Sequence, residues 1–279
     1  MVSLLHINVF YICVLTFLKF CYKLLIIVKL CREVSRVNDI HCHILYGLDD
    51  GAVSIEEALE MARLARTGGT KRIIATPHSN VTGSYRNVWC EEFSDMIGRL
   101  NTRLRERDVD VEIYPGQEIF CGEGFLNLLL GGELITLNNS KYPLVEFDFY
   151  EHSSSVYLKL KKLVSEGYVP VVAHPERYAF LCEDEAAASK LKNIGCLLQV
   201  NKGSLQGNFG RSAYNAAKHL LDNSLADFVA SDAHSPYRRT PFLAEVFELV
   251  CELYSFDYAR LLFSENALAV IENRDVDNV

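Results

Sequence analysis

Imidazoles and carboxylates recur along this 279-residue chain at one kind of position, directly after or late within a short apolar run. The first run leads into His41-Cys-His43, the second into Thr76-Pro-His78 and the third into Gly116-Gln-Glu118. The fourth carries Glu146 within Leu144-Val-Glu-Phe147, and the rest lead into Ala173-His-Pro-Glu-Arg177, Gln199-Val-Asn201 and Ser231-Asp-Ala-His234. Residues two apart in an extended strand point to the same side. His41 and His43 can therefore chelate one ion, and Asp232 and His234 can serve adjacent ones. Imidazole mixed with carboxylate suits Mn, Fe or Zn rather than Ca. A carboxylate such as Glu118 can bridge two ions, and a pair of ions about 3.5–4 Å apart can clamp a phosphate and generate a nucleophile from water at neutral pH. Arg177 and Arg239 add guanidinium forks that match phosphate oxygens.

Taken singly, these residues have blander readings. A lone histidine is more often a satisfied core or surface residue. Glu146, inside an apolar run, also reads as a buried ion-pair partner, and the two arginines as surface ion pairs. What resists that explanation is the set: five of the eight histidines share one register with the acids. His6, His152 and His219 fall outside the pattern and read as structural. Cys42 alternates away from His41 and His43 and is expected to face the wall behind them.

The elements that must position this set follow from the rest of the pattern. Apolar runs at Val37–Ile40, Arg72–Ala75, Val111–Tyr114, Leu144–Phe147, Val169–Ala173, Cys196–Val200 and Asp227–Ala230 read as seven strands. Amphipathic stretches between them read as helices, which makes βα units. Ser54-Ile-Glu-Glu57 is a capping box, and Gly68-Gly69 ends the helix it opens. Further helices are expected over Glu91–Arg107, Ser155–Glu166, Arg211–Asn223 and Phe242–Tyr254. In a βα barrel the carboxyl ends of all strands converge on one mouth. No internal repeat or long linker interrupts residues 37–279, so one domain is expected there.

Composition narrows the chemistry further. The formal net charge of −8 argues against nucleic acid as the main partner, because phosphate backbones select for basic faces. Nine cysteines, none in a Cys-x-x-Cys pair, argue against a disulfide framework or a thiolate zinc site and point to a reducing compartment. No cysteine has an arginine six positions later, so the phosphate loop of thiol-based phosphatases is absent. Residues 1–36 are strongly apolar but interrupted by Lys19, Lys23 and Lys29. Three readings stay open: a weak membrane anchor or interfacial helix, a packed extra helix, or upstream sequence from a misassigned start, with Val37 as the true one.

The run from Asp39 to Ala52 resembles the opening of the PHP (polymerase and histidinol phosphatase) superfamily. More narrowly, it resembles the CpsB/CapC-type manganese-dependent tyrosine phosphatases of capsule and exopolysaccharide loci. Ala75-Thr-Pro-His78, Gly116-Gln-Glu118, Leu144-Val-Glu-Phe147, Ala173-His-Pro-Glu-Arg-Tyr178, Gln199-Val-Asn201 and Ala230-Ser-Asp-Ala-His234 continue the likeness in order. It spans roughly Val37 to Asn273. Tyr46, where the family often has proline, and the apolar extension depart from it.

The resemblance implies a distorted (β/α)7 barrel of the PHP type, a single domain with about three divalent ions, Mn favoured and Fe or Zn as alternatives. One ion would be held by His41, His43, Glu118 and Asp232, and a second by Glu118, Glu146 and His174. The third would be held by Asp50, His78 and His234, with Asp49 the alternative to Asp50. Arg177 and Arg239 would grip the phosphate. The implied partner is a phosphotyrosine protein, a tyrosine autokinase controlling polymer synthesis, met in the cytoplasm or at the inner membrane face. A homo-oligomer stays open. The expected chemistry is direct hydrolysis without a covalent enzyme intermediate. The rivals are a small-molecule phosphatase acting on histidinol phosphate or sugar phosphates, an amidohydrolase, which would want a bridging lysine where this chain offers Glu146, and a non-catalytic kinase-binding scaffold.

Overall fold

Seven parallel strand positions, each followed by helical or loop segments, account for residues 37–276, the part of the chain that the computed structural model describes. The apolar segment 1–36 lies outside the described residues. One three-stranded sheet has the order β1 (Val37–Cys42), β2 (Thr70–Ala75), β4 (Glu112–Pro115). A six-stranded sheet runs β3 (His78–Ser79), β5 (Glu118–Phe120), β6 (Leu144–Glu146), β7 (Val171–Ala173), β8 (Leu197–Asn201), β9 (Phe228–Ala230). Every pairing is parallel.

The two sheets are pieces of one ring. β3 continues β2 beyond Thr76-Pro77, where the proline has no N–H to give the ladder. β5 continues β4 beyond Gly116-Gln117. The ends of the order meet at a parallel bridge between Cys42 and Ala233. There the Asp232 amide donates to the His41 carbonyl and the His43 amide to the Ala233 carbonyl, both at 2.9 Å. The result is the expected distorted barrel of seven staves, two of them broken. The two short continuations were not anticipated: β3 and β5 span two and three residues, too few for a periodic signal.

Alternation along the strands decides what faces the axis. Leu144, Val171, Ala173, Leu197, Phe228 and Ala230 share one apolar cluster, whereas Val145, Val172, Leu198, Val200 and Val229 pack into another with the surrounding helices. Advancing the first set by two residues reaches Glu146, Gln199 and Asp232, so the polar site caps an apolar plug. The expected helices form with ends shifted by one or two residues. Ser54 caps Ile55–Thr67 by accepting from the Glu57 amide. The Ala186–Ile194 helix, which was not anticipated, has no side-chain cap. Cys42 packs with Ala58, Leu59 and Ala62 behind β1, as alternation required. Among the described residues, no helix is long and apolar enough to cross a membrane.

Candidate metal centre

All nine residues anticipated as metal ligands meet at the carboxyl-end mouth. Glu118 is the centre of the set and has no exposure to solvent. Its Oε2 lies 2.9 Å from His78 Nδ1 and 3.3 Å from both His41 Nε2 and His43 Nε2, while its Oε1 lies 2.9 Å from His174 Nε2. Asp232 Oδ1 stands 3.5 Å from each of His41 Nε2 and His43 Nε2. Glu146 approaches both His78 Nδ1 (3.5 Å) and His174 Nε2 (3.6 Å). Asp50 Oδ1 lies 3.6 Å from His78 Nε2 and 3.4 Å from His234 Nε2.

Three groupings have donor atoms converging within 4.8 Å: His41, His43 and Glu118; His78, Glu118 and Glu146; and His43, Asp50, His78 and His234. These overlap the three expected ion sets but differ from each: Asp232 is absent from the first, His78 stands in place of His174 in the second, and His43 joins the third. His78 turns Nδ1 to the second grouping and Nε2 to Asp50, so it sits between two groupings rather than in the third alone.

Asp49 and Asp50 are separated by their surroundings. Asp49 has a fully buried side chain. It accepts from His43 Nδ1 at 2.7 Å, from the His78 amide at 2.8 Å and from the Gly51 amide at 2.9 Å. Asp50 is half exposed and faces the imidazoles. Gly51 makes the tight loop feasible: a Cβ there would lie 2.2 Å from the His43 carbonyl oxygen. Asp49 thus orients the His43 ring, while Asp50 faces the His78 and His234 imidazoles.

The ring orientations are set in the same way elsewhere. Gln199 Oε1 sits 2.7 Å from His41 Nδ1, and the Asp232 carbonyl 3.0 Å from His234 Nδ1. A partner on one ring nitrogen leaves the other free to ligate. Asn201 Nδ2 donates to Asp232 Oδ2. Gln199 and Asn201 stood out in the sequence as a strand-end motif but received no role there; their i, i+2 spacing after Leu197 was the available signal.

The donor set fits divalent cations on chemical grounds. His78 Nδ1, Glu118 Oε2 and His234 Nε2 are buried and have ion-pair neighbours, but make no well-directed hydrogen bond. A cation shared by these atoms would satisfy them better than their contacts with one another do. Burial opposes ionisation of Glu118, but His41 and His78 beside it outweigh burial and hold its carboxyl well below the usual range. Burial and the adjacent Glu118 push Glu146 up to about 8. Burial opposes charge on His43 as well, yet Asp49, Asp232 and Glu118 hold it well above the usual imidazole value. The His234 imidazole beside it draws the Asp50 carboxyl well down. A carboxylate-rich pocket that keeps one acid neutral is the electrostatic signature of a site that gains from added positive charge.

Both anticipated arginines stand at the rim. Arg239 Nη2 reaches Asp232 Oδ2 at 2.5 Å, and Arg177 Nη1 approaches the same oxygen at 3.9 Å. The Arg177 guanidinium lies between the rings of Phe149 (4.3 Å) and Phe209 (4.5 Å). Tyr85 stacks on His78 at 5.8 Å. These aromatics carried no signal in the sequence, because each contact joins distant segments. His174, Asp232 and Arg239 have left-handed backbone angles (φ 34°, 48° and 49°), so three residues of the site hold a conformation that side chains other than glycine adopt uncommonly.

A parallel βα ring with imidazoles and carboxylates converging at one mouth is the architecture of a metal-dependent hydrolase. Within that class the chain belongs to the CpsB/CapC family of capsular polysaccharide synthesis, whose model matches residues 37–272. It is 35% identical over 240 residues to the tyrosine-protein phosphatase YwqE of Bacillus subtilis, covering 85% of this chain and 92% of that one. It is 30% identical over 244 residues to the tyrosine-protein phosphatase CpsB of Streptococcus agalactiae serotype V, covering 84% and 98%. Among solved structures it is similar to a chain from the work on YwqE of B. subtilis and CpsB of S. pneumoniae, described as unique metal-dependent tyrosine phosphatases. The TM-score there is 0.80 at 33% identity, covering 86% of this chain and 96% of that one. Likeness to a histidinol phosphate phosphatase of Lactococcus lactis, at 12% identity and a TM-score of 0.51, concerns the fold alone.

Proposed function

We propose that this protein hydrolyses phosphotyrosine in a partner protein, using two to three divalent ions held by His41, His43, Asp50, His78, Glu118, Glu146, His174, Asp232 and His234. Manganese is the favoured metal, with iron or zinc as alternatives. The observation that carries the reading is the convergence of nine ligand-type residues and two arginines on one mouth, in a chain whose relatives are named tyrosine-protein phosphatases.

When bound, the ions supply Lewis acidity toward phosphoryl oxygens and an activated water. The chain's own residues do the rest. Glu118 fixes the spacing of the imidazoles around it. Asp49 and Gln199 hold His43 and His41 in orientation. Arg177 and Arg239 offer N–H donors to the phosphoryl oxygens as negative charge develops. Both arginines retain partial exposure, 22% and 34% of their side chains, so an incoming phosphate can reach them. Phenolate is a better leaving group than a serine alkoxide, which favours aryl esters. Phe149 and Tyr85 provide ring faces near the phosphate position.

The partner proposed is a tyrosine autokinase of capsular or exopolysaccharide synthesis, met in the cytoplasm or at the inner face of the membrane. Hydrolysis rates on a phosphotyrosine peptide, a phosphoserine peptide and histidinol phosphate test the substrate class. The peptide carrying phosphotyrosine should be strongly preferred. Comparable rates on histidinol phosphate would move the protein to a small-molecule phosphatase.

A further inference from the structure

The end of β8 does more than complete the barrel. Asn201, Lys202 and Gly203 each touch a different part of the arginine apparatus. Asn201 holds Asp232, the carboxylate to which both arginines turn. Lys202 is only 5% exposed, and its ammonium is directed at one turn. It donates to the Thr240 carbonyl, to Thr240 Oγ1 at 3.2 Å and to the Phe242 carbonyl at 2.9 Å. Gly203 leaves room for Phe209: a Cβ at this position would lie 2.7 Å from Phe209 Cε2. The Phe209 ring in turn faces Arg177 at 4.5 Å and Arg239 at 5.7 Å.

Two features argue that this arrangement serves the guanidinium groups and not only the fold. Arg239 has a left-handed backbone (φ 49°), which a non-glycine residue keeps only when its surroundings over-determine it. It is pinned from both sides: its carbonyl accepts the His234 amide at 2.9 Å, and the next residue's carbonyl accepts Lys202. Burying an ammonium is costly, and here it is committed to loop oxygens adjoining Arg239. Phe209, for its part, is only partly buried, so its packing alone does little for the core. One ring shared by two guanidinium groups limits how far either can swing.

We propose that Lys202 and Phe209 are positioning residues: Lys202 fixes the turn that presents Arg239, and Phe209, seated against Gly203, aligns the guanidinium groups of Arg177 and Arg239. This rests on the phosphate-gripping role of the arginines proposed above. In this role each acts through the arginines, Lys202 by way of the Thr240 turn and Phe209 by way of its ring contacts.

Double-mutant cycles on the metal-loaded full chain test it, with a phosphotyrosine peptide as substrate. Lys202→Met should lower kcat/KM about tenfold with bound metal unchanged, yet cost less than about twofold in an Arg239→Ala background. Phe209→Leu should lower kcat/KM about three- to tenfold in the parent and less than about twofold when Arg177 and Arg239 are both alanine, whereas Phe209→Tyr, which keeps the ring, should stay near the parent. If Lys202→Met fails to fold, the Phe209 cycle decides alone. Undiminished cost of either substitution once its arginines are gone overturns the positioning role. If Arg239→Ala and Arg177→Ala themselves leave activity intact, the fault lies in the proposed arginine function instead.

Discussion

Asp49→Asn and Asp50→Asn are near-isosteric changes one residue apart, and the structure assigns them different outcomes. Asp49 is buried and accepts three hydrogen bonds, from His43 Nδ1, the His78 amide and the Gly51 amide. An asparagine keeps one acceptor oxygen. If that oxygen faces His43 and His78, the new NH2 group points at the Gly51 amide. If the side chain flips, it faces the His43 ring and the His78 amide with donors. Bonds to a charged group contribute about 1.5–3 kcal/mol each, and a buried unpaired donor costs about 1–3. The change should therefore destabilise the metal-free protein by about 2–4 kcal/mol. His43 also loses the partner that fixes its ring, which should weaken metal binding about 10- to 100-fold. Asp50 is half exposed, so its interactions are screened and Asp50→Asn should alter metal-free stability by less than about 1 kcal/mol. It should still lower metal stoichiometry, because its carboxylate faces His78 and His234. Denaturant unfolding of chelator-treated protein, with elemental analysis of the reloaded protein, measures both. Equal stability losses at the two positions, or no loss at Asp49, would refute the division of roles.

Two further outcomes follow from burial. Glu176 is fully buried and accepts from Ser204 Oγ and the Asn201 amide, and burial pushes its carboxyl from 4.5 up to about 7. Below pH 4.5 the folded and unfolded forms both hold the proton. Between pH 4.5 and 7 only the folded form holds it, so this group's contribution is present at low pH and is lost as pH rises through 7, by about 3 kcal/mol. Glu176→Gln should flatten the stability profile from pH 5 to 8 by that order; an unchanged slope in denaturant unfolding would contradict it. Cys42 is buried behind the histidines, and burial raises its thiol well above the ordinary value. Cys42→Ala should keep kcat/KM within about twofold of the parent, and complete loss with metals bound would give Cys42 a chemical role denied to it here.

Much of this organisation was legible in the residues because buried parallel strands are continuous apolar runs and the ligands stand directly at their ends. That is why the seven staves, and the histidines and acids that gather at their ends, could be located from the residues, whereas Asp50 was implied only by the family resemblance, with Asp49 as its alternative. β3 and β5 were not visible: each resumes a ladder after Thr76-Pro77 or Gly116-Gln117, and the residues they add are polar as well as apolar. The choice between Asp49 and Asp50 needed loop geometry, since the Gly51 amide and the His43 ring together turn Asp49 inward. The roles of Lys202, Phe149 and Phe209 are made of contacts between distant segments, which neither spacing nor periodicity encodes.

Hydrolysis of phosphotyrosine is proposed to depend on ions gathered around Glu118. Metal content per chain and phosphotyrosine-peptide hydrolysis, followed together through chelator removal and manganese return in the parent and in Glu118→Gln, test it most directly. Two to three ions per parent chain are expected, with activity that falls and recovers with them and a Glu118→Gln protein that recovers neither ions nor activity. A parent with only trace metal and full activity under chelator would contradict it.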